Sequence, residues 1–129
     1  MILFAYPAQA QQAATEVLDD VVIKQSGYNA VIKVLFKRPI AYLSHSPESS
    51  GNTINVRITL PGIFSGSEIG ILRSESIHVD SDTGLNEVVF ENISNSSSSI
   101  LLYFSKTVSY DVIQGSDQRS LSIVIYGLD

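Results

Sequence analysis

Two short stretches of the sequence, one in each half, place a basic side chain four residues before a tyrosine: VLFKRPIAY and LYFSKTVSY. Arg38 and Tyr42 in the first stretch correspond to Lys106 and Tyr110 in the second. A basic group can hydrogen-bond to a sugar or a peptide, and a tyrosine ring can stack on it. We therefore take these four residues, together with nearby His45, as candidate ligand-binding residues.

The same two stretches also have an architectural interpretation. Their other matching residues are apolar and recur at the spacing of a buried strand face: Val34, Phe36 and Ile40 correspond to Leu102, Phe104 and Val108. On this interpretation the two tyrosines cover the core with their rings and keep their hydroxyl groups in water. Both interpretations remain open at the level of sequence.

Patterns typical of enzymes occur only in part. Asp82-Thr83-Gly84 is the triplet of aspartic proteases, but it follows polar residues and comes late in the chain. We interpret it as a tight turn in which Gly84 takes a positive φ. The segment DSDTG has Gly84 where a calcium loop needs an oxygen ligand at position five, and Glu91 at position twelve is a single match among many requirements. The SHS sequence around His45 lacks a nucleophile motif. A small hydrolase is therefore only a remote alternative to a non-enzymatic function.

The residue inventory also limits metal and cofactor chemistry. The chain has no cysteine, which excludes a disulfide framework, a thiolate zinc site and a cysteine nucleophile. A histidine zinc site would need both His45 and His78 and a carboxylate such as Glu48 or Asp80, and their spacing does not predict one. We predict no metal site and no cofactor.

Charge and hydropathy restrict the possible partners. The net charge of −5 disfavours sequence-independent binding of nucleic acid, which needs a basic surface. Residues 1–67 carry five basic and four acidic side chains, whereas residues 68–129 carry three and nine. An anionic partner would therefore meet the first half more favourably. No apolar run approaches the roughly 18–20 residues of a membrane span.

The N-terminus resembles the end of an export signal. MILFAYPAQA is apolar and finishes with Ala8-Gln9-Ala10, the small-x-small pattern of a signal peptidase site. We interpret residues 1–10 as the remnant of a signal peptide, residues 11–16 as a linker and residues 17–129 as one domain. The alternative is an ordinary apolar tail. The first interpretation predicts export.

Strand patterns dominate the rest of the chain. TINVRITL and SLSIVIY alternate apolar and polar residues with a period of two, which is typical of half-buried strands. Other segments, such as VLDDVVIKQ and LNEVVFENI, are rich in β-branched residues and are bounded by Gly, Ser, Asn, Asp and Pro. The sequence predicts an all-β protein.

The strand pattern of the first half recurs in the second, as an internal repeat. Val21 to Ile23 match Val88 to Phe90, and the TINVRITL strand matches the SLSIVIY strand at the same offset. Each half, about 17–62 and 76–129, reads as a three-stranded meander, which cannot bury an apolar face alone. We predict a sandwich of two related antiparallel sheets, one from each half.

The layout of residues 17–62 resembles the AMIN domain, an accessory module of periplasmic cell-wall amidases and type IV pilus secretins. The matching features are a strand ending at Lys24, a turn at Gly27, an apolar strand from Val31 to Phe36, the pair Pro39 and Tyr42, and an alternating strand that closes at Pro61-Gly62. The closing strand lacks the aspartate that this family commonly carries. The resemblance, extended over residues 17–129, implies a β-sandwich.

The resemblance also implies function. AMIN domains are associated with binding peptidoglycan and with placing a larger host protein in the bacterial envelope, and they are not enzymes. The expectation is therefore a periplasmic, non-catalytic targeting module, fused to or part of a longer protein. The alternative is a protein-interaction module of an envelope assembly, of the secretin or pilus type, which adds a partner strand to a sheet edge.

Overall fold

The computed structural model describes residues 17–61, 74–80, 83–94 and 97–127. Every regular element in these ranges is a β-strand, so the all-β prediction is confirmed. The predicted signal-peptide remnant, the linker and Asp82 lie outside the described residues. The strands are β1 (Leu18–Ser26), β2 (Asn29–Phe36), β3 (Ala41–Ser46), β4 (Ser50–Thr59), β5 (Ser74–His78), β6 (Leu85–Ser94), β7 (Ser97–Gln114) and β8 (Ser120–Tyr126).

All strand pairs are antiparallel and follow the order β1-β2-β8-β7-β4-β3, with β6 also paired to β7 and β5 paired to β6. Strand β7 is 18 residues long and belongs to three ladders. Residues 97–104 of β7 pair with β6, residues 98–109 pair with β4, and residues 109–114 pair with β8. One layer therefore contains β1, β2, β8 and the end of β7, and the other contains β5, β6, the start of β7, β4 and β3. The fold is sandwich-like.

The alternating apolar residues of both layers form one core. Fully buried examples are Ile32 and Val34 on β2, Val56 on β4 and Ile123 on β8. This follows from the pleat, which sends successive side chains to opposite faces of a strand. Burying such a side chain contributes roughly 1.5–3 kcal/mol to folding.

The part of the chain that the structure describes contains no helix with the length and hydropathy of a membrane span.

The strands do not pair as one meander per half. Strand β2, from the first half, pairs with β8 from the second, and β4 pairs with β7. The expectation of one sheet per half is therefore wrong, although the antiparallel sandwich-like class is confirmed. Strands from the two halves carry equally apolar inward faces, and a local pattern cannot choose between such partners. The sequence also does not predict the two short edge strands β3 and β5.

The ladder registers of the two layers correspond under the offsets of the sequence repeat. Val34 faces Leu121 in the β2–β8 ladder, and Leu102 faces Ile54 in the β7–β4 ladder. The outer ladders show the same relation, because Val21 faces Val34 and Val88 faces Leu102. The repeat as the device that built the fold stays a prediction.

A carboxylate joins the two layers at one end. Glu75 on β5 accepts hydrogen bonds from the backbone N–H groups of Val17, at 2.7 Å, and Leu18, at 2.8 Å. These two donors begin edge strand β1, and Glu75 supplies their acceptors from the other layer. At the opposite end of β1, Gly27 has a φ of 63° and occupies the two-residue hairpin to β2. A glycine at the first central position is typical of such a turn.

Candidate functional site

Three of the five predicted ligand residues meet near the β3–β4 turn. Tyr42 and His45 lie on β3, and Tyr110 lies near the end of β7. The Tyr42 hydroxyl is 2.6 Å from His45 Nδ1. The His45 ring centroid is 6.0 Å from that of Tyr42 and 6.0 Å from that of Tyr110. The structure therefore places residues from both halves of the sequence in one cluster.

The hydrogen bonds of this cluster assign the protons of His45. Its Nε2 lies 2.9 Å from the backbone carbonyl of Glu48, which can only accept, so Nε2 carries a hydrogen. In the neutral ring Nδ1 is then the acceptor, and the Tyr42 hydroxyl donates to it. Both ring nitrogens are thus engaged within the chain. These two hydrogen bonds hold the ring in place.

Tyr110 is the buried member of the cluster. Its side chain is only 1% exposed, and its hydroxyl donates to the backbone carbonyl of Pro47. Burial raises the pKa of the Tyr110 hydroxyl. Its backbone N–H donates to the Ser49 carbonyl at 2.9 Å. Tyr110 therefore fixes the β3–β4 turn, and its hydroxyl is bonded within the chain rather than kept in water. A ligand near this cluster would meet Tyr42 and His45 first.

Arg38 lies on the β2–β3 link, defined as residues 37–40. No hydrogen bond or ring contact among the described residues joins it to Tyr42, His45 or Tyr110. Its Nε is buried without a hydrogen-bond partner. A buried donor of this kind costs about 1–3 kcal/mol unless something accepts its hydrogen.

Lys106 occupies the corresponding place in the other half of the sequence. It is exposed on β7, and its side chain passes the turn at Gly84, whose φ is 88°. The predicted turn at this glycine is confirmed. No contact between described residues links Lys106 to the Tyr42 cluster, so the five candidates do not form one site. Their role in ligand binding stays a prediction.

Three residues that sequence reasoning missed hold the β2–β3 link in place. Gln114 donates from Nε2 to the Ile40 carbonyl at 2.8 Å and accepts at Oε1 from Tyr42 N–H at 2.9 Å. Gln118 accepts from Ile40 N–H at 2.8 Å, and Arg119 donates from NH1 to the Lys37 carbonyl at 3.0 Å. These partners lie in opposite halves of the sequence, so no local pattern signals them. Only the positive φ of Gln118, 60°, marks the turn as unusual.

The described residues include both histidines of the chain, and their surroundings bear on metal binding and on the chemistry of His45. No group of three or more histidine, aspartate or glutamate side chains among them is arranged to hold a metal ion. Within the described chain, the ring of His45 contacts tyrosines and a backbone carbonyl rather than a nucleophile. The exposed groups beside it are Leu43, 51% exposed, and the hydroxyls of Ser44 and Ser46. This arrangement is suited to binding by contact and hydrogen bonding.

Comparison with known proteins gives no family for the chain. No protein-family model matches it, and no curated protein matches it. The resemblance of residues 17–129 to the AMIN domain therefore rests on the layout of motifs, and membership of that family stays a prediction.

Proposed function

We propose that this chain is a non-catalytic module of the bacterial cell envelope that binds peptidoglycan and localises a larger periplasmic protein. The AMIN-like order of motifs and the small-x-small pattern at Ala8-Gln9-Ala10 support this proposal from the sequence. The sandwich-like fold agrees with the architecture that the resemblance implies.

The observation that carries the proposal furthest is the composition of the surface at β3. We define the β3 surface as Tyr42, Leu43, Ser44 and His45. It combines an exposed aliphatic side chain, a half-buried aromatic ring and polar groups on a strand fixed by Tyr110 and Gln114. Apolar contact combined with fixed hydrogen-bonding groups is what recognition of a glycan or its peptide requires.

A pull-down with purified murein sacculi tests the proposal. We expect the chain to sediment with the sacculi and the Leu43→Ser variant to sediment less. Ile113→Ser is the matched control, because Ile113 is 54% exposed on another strand and Leu43 is 51% exposed. A chain that stays wholly in the supernatant would refute peptidoglycan binding. Equal losses for both variants would remove the β3 surface from the proposal.

Strand addition at the same edge is the second candidate function. In the described chain β3 pairs only with β4, and its residues 41–46 carry neither a charged side chain nor a proline. Edge strand β1, in contrast, contains Asp19, Asp20 and Lys24, and the Asp20 carboxylate covers the N–H of Val21 at 2.8 Å. Charges and covered donors protect an edge from pairing, so β3 is the more open edge.

Hydrogen exchange separates the two candidates. A partner strand would bond to the backbone of residues 43–46 and slow exchange of their amides, whereas a glycan would engage side chains and leave those rates nearly unchanged. We therefore expect unchanged rates with sacculi fragments. Slowed exchange confined to β3 on addition of an envelope protein would favour strand addition instead.

A further inference from the structure

The basic side chains of this acidic protein are unevenly placed. The chain has eight lysine and arginine residues, and four of them lie on β2, on the β2–β3 link or in the β7–β8 turn. These four are Lys33, Lys37, Arg38 and Arg119. They come from two segments that lie in opposite halves of the sequence and that the fold brings together.

The backbone fixes the contact between the two segments. Phe36 N–H donates to the Arg119 carbonyl at 2.9 Å, and Ile40 N–H donates to the Gln118 carbonyl at 2.8 Å. The Arg119 guanidinium reaches back and donates from NH1 to the Lys37 carbonyl at 3.0 Å. That carbonyl belongs to the peptide bond joining Lys37 to Arg38. The guanidinium of Arg119 therefore lies directly beside the backbone of Arg38.

The donors at this place are only partly used. The buried Arg38 Nε has no acceptor, and no described residue forms a hydrogen bond or an ion pair with the Arg38 side chain. Arg119 is exposed and uses NH1 for the Lys37 carbonyl. A guanidinium group offers five N–H donors in a planar fork that matches carboxylate and phosphate oxygens.

Two carboxylates near these segments, Asp117 and Asp20, accept hydrogen bonds from neutral groups. Asp117 accepts at Oδ1 from Arg119 N–H and from the Ser120 hydroxyl, both at 2.9 Å. The pKa of Asp117 is lowered by the bond from Arg119 N–H first, then by that from Ser120, with a further contribution from the charge of Lys33. Asp20, which faces Leu35 across the β1–β2 ladder, accepts from Val21 N–H. No ion pair between described residues joins either carboxylate to Arg38.

We infer that the β2–β3 link and the β7–β8 turn form a binding site for an oxyanion, in which Arg38 and Arg119 hold the oxygens and Lys33 and Lys37 add positive field. The ligand class is a carboxylate, as at the end of a peptide, or a phosphate monoester or diester. The Arg119 guanidinium lies beside the Arg38 backbone, and an anion bound there would offset positive charge and accept from N–H groups of the two arginines. The site is separate from the β3 surface and does not depend on the proposed function.

Titration with inorganic phosphate and, separately, acetate tests the site, with chloride replacing the anion at constant ionic strength. We expect saturable shifts of the backbone amide signals of residues 36–38 and 118–120. Tighter binding of phosphate would assign a phosphate-bearing ligand, and tighter binding of acetate a carboxylate. Shifts that grow linearly without saturation, or that spread evenly over all basic residues, would overturn the inference.

Variants give the test its control. Arg38→Gln and Arg119→Gln should each weaken binding by about tenfold or more, which corresponds to one lost charged hydrogen-bond pair. Arg38→Lys keeps the charge but loses the fork, and should bind more weakly than the unchanged chain. Lys106→Gln removes the basic residue at the corresponding place of the other half and should bind as the unchanged chain does. Equal affinity in Arg38→Gln and Lys106→Gln would refute the site; dispersed amide spectra establish that each variant is folded.

Discussion

The two stretches between core strands, residues 37–40 and residues 105–108, correspond in sequence but not in structure. In the first, the chain leaves the ladder and β3 begins anew at Ala41. In the second, the chain continues as β7 from one layer into the other. The first backbone N–H group of each stretch bonds to a carbonyl outside the stretch. Lys37 N–H donates to the Val17 carbonyl and Ser105 N–H to the Gly84 carbonyl, each at 2.9 Å.

One residue explains much of the difference. Pro39 falls where the second stretch has Thr107. A proline has no N–H to donate and is disfavoured inside a ladder, so the strand ends before it. The link then depends on side chains from the other half, chiefly Gln114 and Arg119. Two similar sequences therefore give a continuous strand in one half and, in the other, a link that is held by side chains from the opposite half of the sequence.

Removal of a core ring on either side tests how far the two stretches are alike. Phe36, 3% exposed, and Phe104, 5% exposed, precede the link and its counterpart. Truncation of either to alanine should lower the free energy of unfolding by about 3–5 kcal/mol, because each leaves a cavity in the shared core. Chemical denaturation measures both values. A loss below about 1 kcal/mol at one of them would mean that the two positions are not equivalent in packing.

Loss of the Gln114 side chain should destabilise the β2–β3 link and leave the continuous stretch of residues 105–108 unaffected. Gln114→Ala removes the donor to Ile40 and the acceptor for Tyr42, and should cost about 1–3 kcal/mol. Lys106→Ala, an exposed change on the continuous side, should stay within about 0.5 kcal/mol of the unchanged chain. Denaturant midpoints at constant m-value give both numbers. Similar values for the two variants would show that the β2–β3 link does not depend on the hydrogen bonds of Gln114.

The buried hydroxyl of Tyr110 should make the stability of the fold decrease at alkaline pH. Since burial raises the pKa of Tyr110 in the fold, the protonated hydroxyl is favoured there. The stability that this provides is present below about pH 10 and is lost as pH rises further, because the unfolded chain ionises more readily. Thermal unfolding between neutral and alkaline pH should show the loss.

Two variants assign this pH dependence. Tyr110→Phe should flatten the alkaline decrease in stability. Tyr126, whose pKa is raised chiefly by its hydrogen bond to Asp111, makes the corresponding control. Tyr126→Phe should leave the part due to Tyr110 in place. An alkaline decrease that is unchanged in Tyr110→Phe would show that another group causes it.

Much of the fold could be predicted because its signals are local. The period of two on TINVRITL identified Ile54, Val56 and Ile58 as the buried face of β4, and all three are fully buried. The turn at Gly84 followed from the demand for a positive φ. Less of the candidate site could be predicted: Tyr42 and Tyr110 were chosen by matching, but the contact through His45 depends on how β3 and β7 approach each other.

The sequence by itself therefore determined most of the strands, the buried face of those with an alternating pattern and several of the turns, because these follow from the pleat, side-chain polarity and backbone freedom. The tertiary structure alone decided that β2 pairs with β8 and β4 with β7, that Gln114 and Arg119 hold the link, and that Arg38 is left with an unused donor. Choosing between equally apolar strands, and bringing together groups from opposite halves of the sequence, depends on the packing of the whole chain rather than on any local segment.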